Sequence, residues 1–467
     1  MRFVSTRGEA PVLGFRDVVL AGLAHDGGLY VPETWPTLTH DEIAGLAGSS
    51  YSAIAQNIIS RFVGQEIAHR TLRQIIEDAY ATFRHDAVTP LRQIGSNHFL
   101  LELFHGPTLA FKDLAMQFLA RLMDHLLKES GERLTIVGAT SGDTGGAAIE
   151  AFRGRERIDI VILFPEGRVS PVQRRQMTTA REKNVRAIAI KGTFDDTQAL
   201  VKGMFNDRAF RERTRLSGVN SINFGRIVAQ IVYYFAAAVA LGAPHRAVTF
   251  TVPTGNFGNI FAGYAAKRMG LPIQGLVVAT NVNDILHRTL TSGRYEVRSV
   301  TATSSPSMDI QVSSNFERLL FEAEGRDAGA VRRLMAGLEQ SRTFTLSDGT
   351  RTALTEDFWS STCNEAETAA TIARVRERTG ELIDPHTAVG VAVAERHLGV
   401  VPMVTLATAH PAKFPEAVEQ ATGERPELPG WAKAAIACEE RYDVLPADLR
   451  TVEEAVEARS AATRVTA

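Results

Sequence analysis

The chain has 467 residues, which at about 150 residues per domain allows two or three domains with a sizeable core. Its 51 Lys+Arg against 53 Asp+Glu leave a net charge of −2, so neither nucleic acid nor an anionic membrane is an expected partner. Two cysteines, Cys363 and Cys438, are too few for a disulfide framework or a thiolate metal site, and no histidine spacing such as H-E-x-x-H exists, so no metal is expected.

The N-terminus, MRFVSTRGEAPV, lacks the apolar core of a signal peptide, and a reducing cytoplasm is the expected location. After the turn His25-Asp26-Gly27-Gly28, residues 39–62 and 64–83 carry helix-compatible patterns, so 1–95 reads as a helical N-terminal domain. From about Asn97, short β-branched runs alternate with amphipathic segments. The strands are predicted at 134–137, 158–164, 185–190, 248–252, 274–279 and 403–407, and the helices between them include 110–127 and 259–269. Residues 227–241 are apolar but shorter than the roughly 20 residues that span a bilayer, and they hold Gln230, so they read as a buried helix. This alternation predicts an α/β protein with open, mostly parallel sheets covered on both faces. A smaller α/β domain is expected at 96–190 and a larger one at 191–467, with the polar intervals 291–314 and 325–357 forming an insertion at about 290–360.

In open sheets of this kind ligands bind at the carboxyl ends of the strands, so the loops there hold the candidate chemistry. The first is Gly138-Ala139-Thr140-Ser141-Gly142-Asp143-Thr144-Gly145-Gly146, whose small residues, hydroxyls and helix-start N–H groups suit a carboxylate or phosphate. A plain turn capped by Ser141 or Asp143 is the bland alternative. The second, Pro253-Thr254-Gly255-Asn256-Phe257-Gly258-Asn259 ahead of a helix, has the geometry of a phosphate cup. Neither carries the Gly-Lys-Ser/Thr ending of a P-loop or the G-x-G-x-x-G of a dinucleotide site. Two anion cups without a nucleotide signature point to a small ligand with a phosphate handle plus a second acidic substrate, a pairing that suits pyridoxal 5'-phosphate.

That cofactor needs a partly desolvated amine for its Schiff base. Lys112 is the candidate, since it stands among Leu109, Ala110, Phe111 and Leu114 at the mouth of an apolar helix; the ordinary alternative is a helix-start lysine paired with Asp113. Lys191 resembles a kinase strand lysine, but no His-Arg-Asp or Asp-Phe-Gly accompanies it. Asn220-Ser221-Ile222-Asn223-Phe224-Gly225-Arg226 gathers two amides, a hydroxyl and a guanidinium fit for a phosphate or carboxylate, or else an N-cap with a surface arginine. Thr408 puts a hydroxyl at a strand's carboxyl end, or caps the next turn. His105, His386 and His410, near glycine or proline, read as turn residues.

Ser5-Thr6-Arg7-Gly8, Asp26-Gly27-Gly28-Leu29-Tyr30-Val31-Pro32, the Lys112 segment, SGDTG, NSINFGR, PTGNFGN, SSNFERLLFE and TAHPAKF occur in that order. From Met1 to about Asp443 the chain thereby resembles the threonine synthase family, in its longer form with an extra N-terminal domain. The resemblance implies the fold type II arrangement of pyridoxal phosphate enzymes, similar to the tryptophan synthase β chain, with the cofactor between two α/β domains. It implies a lyase, EC 4.2.3.1, that converts O-phospho-L-homoserine and water to L-threonine and phosphate by γ-elimination and β-addition of water, the last step of threonine biosynthesis. A phospholyase giving 2-oxobutyrate and a non-catalytic homologue are the alternatives.

Carried over by motif, Lys112 holds the cofactor, Gly255, Asn256, Phe257, Gly258 and Asn259 bind its phosphate, and Thr408 faces its pyridine nitrogen. Thr140, Ser141, Asp143 and Thr144 hold the substrate carboxylate and border the cofactor O3′, while Asn220, Ser221 and Arg226, with Thr144, hold the substrate phosphate. Asp143 stands where many relatives of this fold place Asn, and a carboxylate beside a phenolic oxygen is repelled unless protonated or paired. The small-molecule substrate is the expected partner of a monomer or homodimer.

Overall fold

The computed structural model describes residues 1–218, 220–458 and 460. Strands Ile158–Pro165 and Val248–Pro253 are buried along their whole length, as parallel strands covered on both faces must be, and this is why they read as nearly continuous apolar runs. They lie in separate sheets. The larger sheet runs Phe358–Thr362, Ile273–Thr280, Val248–Pro253, Met403–Ala407, His98–Glu102, Leu91–Gly95, and all its pairs are parallel except the last. The smaller sheet, Asp443–Pro446, Val185–Lys191, Ile158–Pro165, Leu134–Ala139, Leu216–Ser217, is wholly parallel.

Sheet membership departs from the linear division 1–95, 96–190 and 191–467. Strand His98–Glu102 precedes the small-sheet strands in sequence yet pairs with Met403–Ala407, and Asp443–Pro446 returns from the far end of the chain to the small sheet. A hydrogen-bonding edge is filled by whichever strand the packed helices deliver to it, and order along the chain does not fix that choice.

Helix Phe224–Ala240, apolar but for Arg226 and Gln230, is buried over nearly its whole length and packs against Tyr51–Val63 and Lys112–Ser130. The expected helix 39–62 is two, His40–Ala44 and Tyr51–Val63, because Thr39 and Ser50 each cap a new start. Residues 290–360 contain the two-stranded antiparallel sheet Arg294–Glu296 with Thr343–Thr345 and helices Phe316–Ala323, Ala328–Ser341 and Asp348–Asp357. Directly after them, Phe358–Thr362 forms the edge strand of the larger sheet, so this stretch runs straight back into the core sheet.

Candidate active site

Lys112 opens the helix Lys112–Ser130 beside the carboxyl end of strand Met403–Ala407. The Phe111 N–H donates to the Thr408 carbonyl (2.9 Å), and Ala110 forms an antiparallel bridge with Ala409, so the backbone itself brings Lys112 and Thr408 together. Asp113 does not pair with Lys112. Its carboxylate accepts from the Thr108 N–H (2.8 Å) and hydroxyl (2.7 Å), fixing the turn in which Leu109 takes a left-handed φ of 61°. Burial pushes the Asp113 carboxyl up to about 6.

The Lys112 side chain is buried, with Nζ 3.5 Å from Asp143 Oδ2 and 3.5 Å from Ser307 Oγ. Burial lowers its pKa against the opposing pull of Asp143, which favours the neutral, nucleophilic amine. Asp143 in turn sits 2.7 Å from the fully buried Lys413 ammonium and accepts from Gln173 Nε2 at 3.0 Å. Burial alone would raise this carboxyl, but Lys413 and Lys112 outweigh it and hold it well below the usual carboxylate range. The difficulty of a carboxylate at this position is therefore met by pairing, not protonation. Lys413 also donates to the Thr108 carbonyl (2.8 Å), tying Asp143 to the Lys112 turn.

In the second loop, Phe257 has a φ of 62° and the helix Gly258–Arg268 follows at once. The Gly255 carbonyl accepts from Ser313 Oγ (2.7 Å), and the Asn256 carbonyl accepts from the Asn315 N–H (3.1 Å) and Nδ2 (3.0 Å). With the carbonyls engaged by that neighbouring segment, the donors of the helix's first turn remain for an anion. Asn259 is buried; its Oδ1 accepts from the hydroxyls of Tyr233 and Tyr234, while its Nδ2 has no hydrogen-bond partner among the described residues. A Cβ at Gly255 would stand 2.6 Å from the Ser307 carbonyl oxygen, so only glycine fits there. An orphaned buried donor in a cup of free N–H groups, next to a desolvated amine, is the donor set that pyridoxal phosphate requires.

In the first loop, Thr140 Oγ1 accepts from the N–H groups of Gly142 and Gly145 (2.9 Å each), so this hydroxyl builds the turn. Gly142 has a φ of 142°, and a Cβ there would meet the Gln173 amide at 2.4 Å. Ser141 and Thr144 are half-buried. Of the third segment, Arg226 is buried with its pKa lowered by burial to about 10, and its charge acts on Lys112, whereas Asn220 is exposed and Ser221 half-buried. Asn223 caps the helix, accepting from the Gly225 N–H (2.9 Å) and donating to the Val19 carbonyl (2.9 Å). Thr408 is buried, and its N–H donates to Thr387 Oγ1 (3.3 Å).

Sequence reasoning missed Lys413, Ser307, Asn315 and His386. Lys413 lies five residues beyond Thr408 in an otherwise apolar stretch, the same signal that singled out Lys112. Ser307 falls in the interval assigned to an insertion, and His386, taken for a turn residue, is in the first turn of the buried helix Pro385–Ala394.

Three family models match: threonine synthase N terminus over residues 2–80, pyridoxal-phosphate dependent enzyme over 83–402, and threonine synthase, C-terminal over 387–456. The threonine synthase of Pseudomonas aeruginosa is 54% identical over 456 residues, covering 97% of each chain. The crystal structure of PLP-bound threonine synthase from Brucella melitensis is 60% identical with a TM-score of 0.96, covering 99% of this chain and 100% of that one. The yeast threonine synthase structure is 38% identical with a TM-score of 0.93, covering 98% of each.

Proposed function

The chain belongs to the threonine synthase family, and from that premise we propose that Lys112 is the amine that holds the cofactor and the base that moves protons on the substrate. The activity is that of a fold type II pyridoxal phosphate-dependent lyase, converting O-phospho-L-homoserine and water to L-threonine and phosphate. In net terms the Cγ–O bond to phosphate and one Cβ–H bond break, the hydroxyl of water bonds to Cβ, Cγ gains a proton, and the remaining proton leaves on the phosphate.

When bound, pyridoxal phosphate supplies the electron sink that makes the substrate's Cα and Cβ protons removable. In this reading the N–H groups of Gly255 to Asn259 and the Asn259 amide hold its phosphate, and Thr408 offers a hydroxyl to its ring nitrogen. Asp143 borders the site with its charge balanced by Lys413. Lys112 takes the Cα proton and delivers one to Cγ, tasks for which a buried amine with a lowered pKa is suited. The carboxylate falls to Ser141, Thr144 and the N-terminus of helix Asp143–Phe152, with Thr140 shaping the turn. Arg226, aided by Ser221 and Asn220, takes the substrate phosphate through paired charge-assisted hydrogen bonds.

The observation that carries the assignment is the desolvated Lys112 amine between Asp143 and Ser307, on a backbone joined to Thr408. Lys112→Ala should lower turnover by about a thousandfold or more and abolish the visible absorption band of the loaded protein, whereas retained turnover overturns it. Incubation with phosphohomoserine should release phosphate and threonine in equal amounts, and 2-oxobutyrate in place of threonine would redefine the reaction. Arg226→Ala should raise KM about 10–100-fold with the visible band intact. We further infer a monomer or homodimer in the cytoplasm, which gel filtration and cell fractionation test; among the described residues no helix is long and apolar enough to cross a membrane.

A further inference from the structure

Ser307 touches both halves of the site. Its hydroxyl is 3.5 Å from Lys112 Nζ, and its carbonyl closes on Gly255 so tightly that no Cβ fits between them. Two anchors hold it. On one side Asp309 accepts from Asn281 Nδ2 (2.8 Å), Asn283 Nδ2 (3.0 Å) and the Thr303 hydroxyl (2.6 Å), lashing the turn to the end of strand Ile273–Thr280. On the other side the Ser307 N–H donates to His386 Nε2 (3.2 Å). His386 is buried, its ring against Phe414, and its Nδ1 is 2.8 Å from Asp384 Oδ1. Asp384 caps the helix Pro385–Ala394, accepting from the N–H groups of His386 (2.9 Å) and Thr387 (3.3 Å) and from the Thr387 hydroxyl. An aspartate used as acceptor throughout leaves the imidazole proton on Nδ1 and the Nε2 lone pair free to receive the Ser307 N–H.

We propose that His386 is a positioning residue for Lys112: oriented by Asp384, it fixes the Ser307 turn so that the Ser307 hydroxyl meets the lysine amine and holds it toward the reacting carbons. The proposal rests on Lys112 being the base. The charged groups that act on the amine are Asp143, Lys413 and Arg226, and the Ser307 hydroxyl is a neutral hydrogen-bonding group that offsets the pull of Asp143 without adding charge. When Ser307 drifts, the amine falls to Asp143, which favours its protonated form and carries it off the substrate.

The test compares His386→Ala, His386→Gln, Ser307→Ala and the His386→Ala/Ser307→Ala pair in the loaded enzyme. His386→Ala should cut kcat about tenfold or more while KM moves less than about threefold, because a misplaced base costs chemistry more than binding. His386→Gln, whose amide oxygen can receive the same N–H, should recover most of kcat. Ser307→Ala should match His386→Ala, and the pair should be no worse than either single variant. In the cofactor-free protein, labelling of Lys112 by an acylating reagent, read by peptide mass spectrometry, should slow about threefold or more in His386→Ala and Ser307→Ala, since only the neutral amine reacts. Wild-type kcat in His386→Ala, or additive losses in the pair, overturns the proposal. An active Lys112→Ala instead removes the reading beneath it, so the two failures are distinguishable.

Discussion

Lys413 shows how a single side chain decides the electrostatics of the site. With Lys112 and Gln173 it surrounds Asp143, and removing it leaves a buried carboxylate short of one partner. Lys413→Met should cost about 3–5 kcal/mol in urea denaturation, the usual penalty for breaking a buried pair. Adding Asp143→Asn should restore most of it, and equal stabilities for Lys413→Met and wild type would show the pair to be structurally idle. Lys112 was legible in the sequence because a charged residue inside an apolar run is costly unless used. The partner of Lys413 was not legible, since the two lie in different loops and meet only when strand Met403–Ala407 and helix Asp143–Phe152 converge.

At the scale of elements, strand Met403–Ala407 falls where expected, and the other predicted sheet strands lie within a few residues of their sequence bounds, because buried parallel strands advertise themselves by unbroken apolar runs. Phe358–Thr362 escaped notice: an edge strand buries one residue fully and keeps the polar Ser360, Ser361 and Thr362 half-buried. Strand His98–Glu102 carries its own pH dependence. His98 is buried with Nε2 2.8 Å from Thr405 Oγ1 on the neighbouring strand, and burial lowers its pKa from 6.5 to about 4. Between those values the unfolded chain binds the proton and the folded chain does not, so stability is full above pH 6.5 and is lost as pH falls toward 4. The loss reaches ~3 kcal/mol. His98→Gln should flatten the stability–pH curve over that window relative to wild type, and an unchanged slope would place the titrating group elsewhere.

At the scale of the whole molecule, the N-terminal region serves as a cradle for the segment proposed to take the substrate phosphate. Phe3 and Phe62 pack on Phe224, Ser217 Oγ donates to the Leu20 carbonyl (3.2 Å), and Asn223 reaches Val19. Arg318 binds three parts of the fold at once: its buried guanidinium donates to the Tyr30 carbonyl (3.0 Å), the Ile222 carbonyl and Asn315 Oδ1, the last of a residue that bonds the Asn256 carbonyl. Arg318→Met should lower Tm by roughly 3–5 °C, through about 3–5 kcal/mol of acceptors left unpaired in the interior. It should also raise KM for phosphohomoserine more than it lowers kcat. A Tm within ~2 °C of wild type would show that the staple is dispensable.

By itself the sequence determined the α/β class and the cofactor and singled out Lys112 and two glycine-rich loops as candidates, because each is encoded locally in apolar periodicity, glycine placement and an amine in an apolar setting. Only the tertiary structure decided that Asp143 is balanced by Lys413, that Ser307 and His386 stand behind Lys112, and that the chain's far end completes the small sheet. Those contacts join residues far apart along the chain, and burial, which sets their strength, exists only once the layers have closed.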